Sequence, residues 1–176
     1  MASATYLGNP NLKNVGQTIQ WTEETLEEYK NCMESPQHFI ENYVQIVHVD
    51  KGLVPFTMYP YQDKMVQTFS DERFVICKMP RQTGKSTTII SFLLHYVLFN
   101  ESVNVAILAN KGNTARELLG RLQLAYEHLP KWLQQGVVVW NKGNIELENG
   151  SKILASATSG SAVRGSSFNI IFLDEF

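Results

Sequence analysis

The chain has 176 residues, enough for one domain with a hydrophobic core or for the larger part of one. With 44% hydrophobic and 18% charged residues it reads as a folded globular protein, not a disordered one. A formal net charge of −2 excludes a protein that grips nucleic acid over its whole surface, so any DNA contact is local or lies outside this segment.

Residues 1–18 are rich in Asn, Gly, Ser and Thr without periodicity and are expected to form a mobile arm. Residues 19–58 read as a small helical and hairpin segment. Thr22 caps a helix beginning at Glu23-Glu24, with Leu26, Tyr29 and Met33 on one face. Ser35-Pro36 restarts a helix whose apolar face is Phe39, Ile40 and Tyr43. Val44 to Val49 is predicted as a strand, Asp50-Lys51-Gly52 as a turn, and Leu53 to Met58 as a returning strand.

The third unit, 59–176, opens with a short helix from Pro60 that turns Met65, Val66 and Phe69 inward. Phe74 to Lys78 is predicted as a short strand, followed by a loop and a helix over about Lys85 to Phe99. The apolar part of that helix, from Ile89 and broken by Ser91 and His95, is too short to span a bilayer. Val103 to Ala109 is a near-continuous apolar run, as in a strand buried on both faces. Thr114 to Glu117 has a capping-box pattern, Leu118, Leu122, Ala125 and Leu129 repeat at helical spacing, and Pro130 ends that helix. Asn144 to Glu148 and Lys152 to Ala155 flank the hairpin signal Asn149-Gly150. A Ser/Gly-rich loop runs from Thr158 to Ser167, and Asn169 to Leu173 is the last strand. Alternating strands and helices predict an α/β fold with a largely parallel sheet covered by helices. Cys32 and Cys77 form no CxxC or Cys/His cluster in sequence and read as reduced thiols of a cytoplasmic protein. The N-terminus lacks the pattern of a signal peptide.

The string Met79 to Ser86, MPRQTGKS, follows an apolar strand and opens an apolar helix, the context a phosphate-binding loop needs. Gly84 lets the backbone approach a phosphate, and free N–H groups at the helix start face the anion. Lys85 reaches the β- and γ-phosphates, and Ser86 ligates Mg²⁺. The first position of the common GxxxxGK[ST] pattern is Met79 here, a departure, and a Gly-Lys-Ser triplet alone is an ordinary helix start. Ile170 to Leu173 is followed by Asp174 and Glu175, at the strand end where ligands bind in such sheets. Asp174 there holds the Mg²⁺ shell and Glu175 polarises the attacking water. Arg81, inside the loop, suits a cis-acting arginine finger. Arg164, ten positions before Asp174, fits equally a finger donated to a neighbouring subunit and a solvated loop arginine. In Tyr59-Pro60-Tyr61-Gln62, an aromatic ring can stack on adenine and the Gln can pair with it; the same residues also suit a plain helix start with Tyr in the core.

Together these stretches resemble the large terminase subunits of tailed bacteriophages, in the T-even-type branch. MPRQTGKS is similar to their variant Walker A loop, YPYQ to their adenine-binding Q motif, and IIFLDEF to their Walker B strand. LANKGNTARELLGRLQLAYEHLPKWLQQGV and WNKGNIELENGSKILASATSGSAVRG are also similar, so the likeness runs from about Gln20 to Phe176. It implies a RecA-like P-loop NTPase fold, ATP and Mg²⁺ as cofactors, and catalytic roles for Glu175, Arg81, Lys85 and Arg164. It implies an ATP site of Tyr61, Gln62, Arg81, Gln82, Thr83, Gly84, Lys85, Ser86 and Thr87, with Ser86 and Asp174 on the metal.

Members of that family form a homo-oligomeric ring at the prohead portal in the cytoplasm of the infected bacterium. They work with a small terminase subunit and drive double-stranded DNA into the prohead by hydrolysing ATP. They also carry a C-terminal ribonuclease-H-like nuclease domain, which is not encoded here, and no membrane association. Their sheet places a later strand between the phosphate-loop strand and the Walker B strand. This implies an ATPase domain incomplete at its C-terminus, from a split gene, an interrupting element or a truncation, and an isolated chain that is unstable or depends on a companion segment. Two other readings stay open from the residues: a superfamily-two helicase, which shares the Gln, GKS loop and Asp-Glu pair, and a fragment that binds nucleotide without hydrolysing it.

Overall fold

A computed structural model of the chain describes residues 5–48, 50–158 and 165–175. The N-terminal half is built from local signals. Helix α1 (Glu23–Glu34) starts at a capping box: the Thr22 hydroxyl accepts from the Thr25 N–H at 3.2 Å, and the Thr25 hydroxyl accepts from the Thr22 N–H at 2.9 Å. Helix α2 (Pro36–Tyr43) follows at once, with the Ser35 hydroxyl accepting from the His38 N–H at 3.1 Å and Pro in its first turn. Strands β1 (Gln45–His48) and β2 (Gly52–Pro55) pair antiparallel across the expected turn. Helix α3 (Pro60–Asp71) buries Met65 and Val66, and its Phe69 ring packs 5.5 Å from Phe92.

Helix α4 (Lys85–Phe99) is the central post, with Ile90, Leu93, Leu94, Val97 and Leu98 buried. Its polar residues are satisfied inside the fold: Thr88 and Ser91 donate to the carbonyls of Gly84 and Thr87, one turn back. His95 contacts the Cys32 carbonyl at 2.8 Å, and burial pushes the imidazole down to about 4, so it stays neutral. No described helix is long and apolar enough to cross a membrane. Both cysteines are free; burial, with the nearby Glu28 carboxylate, pushes the Cys32 thiol up to about 12.

One face of α4 meets helix α5 (Gly112–Glu127), which lies over a five-stranded mixed sheet. The strands are β3 (Asn104–Ala109), β4 (Val137–Trp140), β5 (Asn144–Leu147), β6 (Lys152–Ala157) and β7 (Ile170–Asp174), in the order β4-β5-β6-β3-β7. β3 lies between β6 and β7, parallel to both, and is buried along nearly its whole length. β5 and β6 form the hairpin at Asn149-Gly150, and β4 adds antiparallel to β5. The sheet is thus α/β as expected, but parallel only in its β6-β3-β7 part.

Three expectations are corrected. Residues 75–80 form no regular element and pair with no strand, so the predicted strand Phe74 to Lys78 is absent. An apolar run becomes a strand only where a neighbour takes up its N–H and C=O groups. Here Phe74 and Ile76 stand 84% and 93% exposed, while among the described residues β7 pairs only with β3 and exposes Ile171 and Leu173. Second, α5 starts at Gly112, so Thr114 lies inside the helix, and the N-cap Lys111 makes no side-chain capping bond.

Third, much of the expected mobile arm is docked. Leu12 is 1% exposed, and Asn14 bridges to Val137. The buried Gln134 amide accepts from the Lys13 N–H at 3.0 Å and donates to the Asn11 carbonyl at 2.9 Å. Glu148 completes the clamp, accepting from the N–H groups of Gly16 at 3.0 Å and Gly136 at 2.5 Å, with the Lys13 ammonium 3.4 Å away. Burial alone raises the Glu148 carboxyl, but these donors outweigh it and hold it below the usual carboxylate range. A depressed pKa stabilises the fold above the unfolded glutamate value and loses that contribution as pH falls through the folded one. Glu148→Gln therefore lowers stability by about 1 kcal/mol at pH 7. The wild-type advantage shrinks as the pH drops below roughly 4.3. Urea midpoints of both proteins at neutral and acid pH check this; a gap unchanged in acid contradicts it.

Candidate functional site

The site forms where α4, β7 and the start of α3 meet. From Met79 the extended chain enters a turn over 81–84, closed by the Thr83 hydroxyl donating to the Pro80 carbonyl at 3.1 Å. Gln82 and Gly84 both have left-handed backbone, with φ of 63° and 72°. Gly84 accepts this conformation at no steric cost; Gln82 does not. α4 then begins at Lys85, so its first free N–H groups open onto the turn, as an anion site requires. Arg81 and Gln82 are exposed, and Thr83, Lys85, Ser86 and Thr87 are half-buried.

Across the sheet, Asp174 ends β7 in register with Ala109 at the carboxyl end of β3. The Ser86 hydroxyl donates to Asp174 Oδ1 at 3.2 Å, joining groups 88 positions apart in sequence. Both are oxygen ligands of the hard type that Mg²⁺ takes, so this pair suits that ion. Glu175 follows, exposed and with φ of 47°, a conformation costing a side-chain-bearing residue about 1–3 kcal/mol. Strain of this kind concentrates at functional sites. Arg164 lies outside the described residues.

The start of α3 braces the turn from behind. The Tyr61 hydroxyl donates to the Thr83 carbonyl at 2.9 Å, and the Gln62 amide donates to the same oxygen at 3.3 Å. Gln62 is 3% exposed, and its amide oxygen accepts from the Tyr59 N–H at 2.9 Å, so both ends of the amide expected to read adenine are bonded within the fold. Tyr59, named from sequence only as part of the Tyr59-Pro60-Tyr61-Gln62 stretch, stacks its ring on Tyr61 with centroids 5.7 Å apart and planes 9° apart. Two tyrosines flanking Pro60 are the signal that could have found this exposed aromatic pair. A Cβ at Gly84 would meet Gln62 Nε2 at 2.6 Å. Gly84→Ala thus adds a clash to an unfavourable backbone worth about 1–2 kcal/mol. It is expected to lower the thermal midpoint by several degrees, read by circular dichroism melting; an unchanged midpoint contradicts the assigned packing.

Known proteins share the chain's sequence family and its fold. A family model described as "Terminase large subunit, T4likevirus-type, N-terminal" matches residues 76–176. The crystal structure of the HK97 bacteriophage large terminase shares the fold, with a TM-score of 0.66 at 20% identity over 81% of this chain. The chain spans 31% of the length of that protein.

Proposed function

Because the chain belongs to the family of T4likevirus-type terminase large subunits, by its N-terminal part, we propose that it is the nucleotide-binding segment of a DNA-packaging ATPase. The observation that carries this is the Ser86–Asp174 contact, which joins the end of the phosphate loop to the end of the acid-bearing strand. Ser86 and Asp174 would hold a Mg²⁺ ion, which would supply charge neutralisation to the bound phosphates. Lys85 and the free N–H groups of α4 hold the phosphates, with Gln82, Thr83, Gly84 and Thr87 shaping their cradle. Arg81 offsets charge developing on the transferred phosphoryl group. Glu175 orients the attacking water and takes up its proton. Tyr59 and Tyr61 offer the base a stacking platform. Gln62 acts through Thr83, setting the loop carbonyl, and reads adenine only by giving up its present bonds. Arg164 serves a neighbouring subunit in the ring.

The whole large subunit works on double-stranded DNA at the portal of a prohead, with the small terminase subunit, in the host cytoplasm. The outer edge of β7, unpaired among the described residues, and the exposed Phe74 and Ile76 support a further strand seated there. The test is phosphate release and DNA uptake by a full-length large subunit carrying this segment. Mg²⁺-dependent ATP hydrolysis coupled to DNA uptake into proheads is the expected result. Strand separation without uptake would transfer the chain to the helicases, and nucleotide binding without turnover in the full-length protein would remove the enzymatic reading.

A further inference from the structure

The α1–α2 junction gathers chemistry that nucleotide binding does not use, and the inference drawn from it stands apart from the packaging reading. Glu28 and Cys32 lie one helical turn apart on the same face of α1, and His38 enters from the first turn of α2. The His38 Nε2 is 2.6 Å from Glu28 Oε1, and the Cys32 Sγ is 4.0 Å from that same oxygen. One donor atom from each of the three lies within 4.8 Å of the other two.

We propose that Glu28, Cys32 and His38 form a binding site for one divalent transition-metal ion of the zinc class, clamping α1 to α2. A carboxylate, a thiolate and an imidazole are the ligand types such an ion takes, whereas Mg²⁺ and Ca²⁺ disfavour sulfur. Ligand atoms around tetrahedral zinc stand roughly 3.2–3.6 Å apart. The close His38–Glu28 contact therefore opens, and the Cys32–Glu28 contact closes, each by less than an ångström or so. The Tyr43 hydroxyl, 3.0 Å from Glu28 Oε1, or a water fills the fourth corner. Cys32 is fully buried, but Glu28 and His38 are partly open to solvent, which gives the ion a way in. On binding, the Cys32 thiol proton leaves to solvent and His38 carries its proton on Nδ1, freeing the Nε2 lone pair. The Asn42 amide nitrogen donates to the His38 carbonyl at 2.8 Å and lies 3.3 Å from Nδ1, so it swings aside as Nδ1 takes up the proton.

Titration of Co²⁺ into a full-length large subunit carrying this segment tests this, with helix content followed by far-ultraviolet circular dichroism. One equivalent is expected to give a thiolate-to-metal absorption band and tetrahedral visible bands, both displaced by Zn²⁺. The bands are expected to vanish in Cys32→Ser and persist in Cys77→Ser. His38→Ala, at a partly exposed position that leaves the thiol in place, is expected to weaken Zn²⁺ binding by at least about tenfold. Zn²⁺ is expected to raise the thermal midpoint of the wild type but not of His38→Ala. A folded chain that shows no thiolate band, or loses it in Cys77→Ser instead of Cys32→Ser, overturns the site. Equal Zn²⁺ affinity in wild type and His38→Ala does the same and leaves an ordinary Glu28–His38 ion pair.

Discussion

Replacing Glu175 with Gln in a full-length large subunit is expected to slow ATP turnover by roughly 10²–10⁴-fold, the worth of a positioned general base. Nucleotide affinity is expected to change little. β7 brings Asp174 against Ser86, so the next residue along the chain stands beside the proposed metal site. The left-handed backbone at Glu175 carries the side chain away from the alternation of the strand. A carboxamide keeps the size and one hydrogen-bonding oxygen but cannot accept the proton of the attacking water. Binding and turnover should therefore separate cleanly, with kcat lost and nucleotide dissociation constant kept. If turnover survives intact, Glu175 is only a solvated acid at the end of a strand.

Arg81→Ala is expected to lower kcat by about 10³-fold or more, the range of an arginine that neutralises charge on a transferred phosphoryl group. Arg81 projects from the turn that the Thr83–Pro80 contact closes, immediately before the left-handed Gln82. Its exposure leaves the guanidinium free to swing onto a bound triphosphate. Arg81→Lys should not restore the rate, because an ammonium lacks the planar fork that spans two phosphoryl oxygens. A variant that loses affinity but turns over normally at saturation would make Arg81 a ground-state phosphate contact instead.

The parts of this fold legible in the sequence are those whose causes are local. Thr22 and Ser35 announce their helices because a cap is satisfied within three residues. Asn149-Gly150 announces its hairpin because the turn dictates the backbone. The buried run at β3 and the Ile170 to Leu173 run pointed to strands, because apolar runs of that length suit strands of a parallel sheet.

What escaped depends on distant partners. Phe74 to Lys78 has the composition of a strand, but pairing is a property of the neighbour. Val137 to Trp140 is β-branched and was not assigned, because β4 is fixed by β5 and by the arm, including Asn14. The arm itself looked mobile, since its docking rests on Gln134 and Glu148, more than a hundred residues away. Gln62 was read from its motif alone, and only coordinates show its amide bonded to Tyr59 and Thr83. Glu28 and Cys32 share a face by simple helical spacing, but His38 joins them only because Ser35-Pro36 folds α2 back on α1.

The most direct measurement of the central claim is a metal swap at Ser86. In a full-length large subunit, Ser86→Cys replaces a hard oxygen ligand with a sulfur that Mg²⁺ disfavours and softer ions accept. ATP turnover supported by Mg²⁺ should collapse, and Mn²⁺ or Cd²⁺ should restore a substantial part of it. An equal loss with every cation, in a variant that still binds nucleotide, would place the ion away from Ser86 and contradict a shared site for the phosphate loop and the β7 carboxylates.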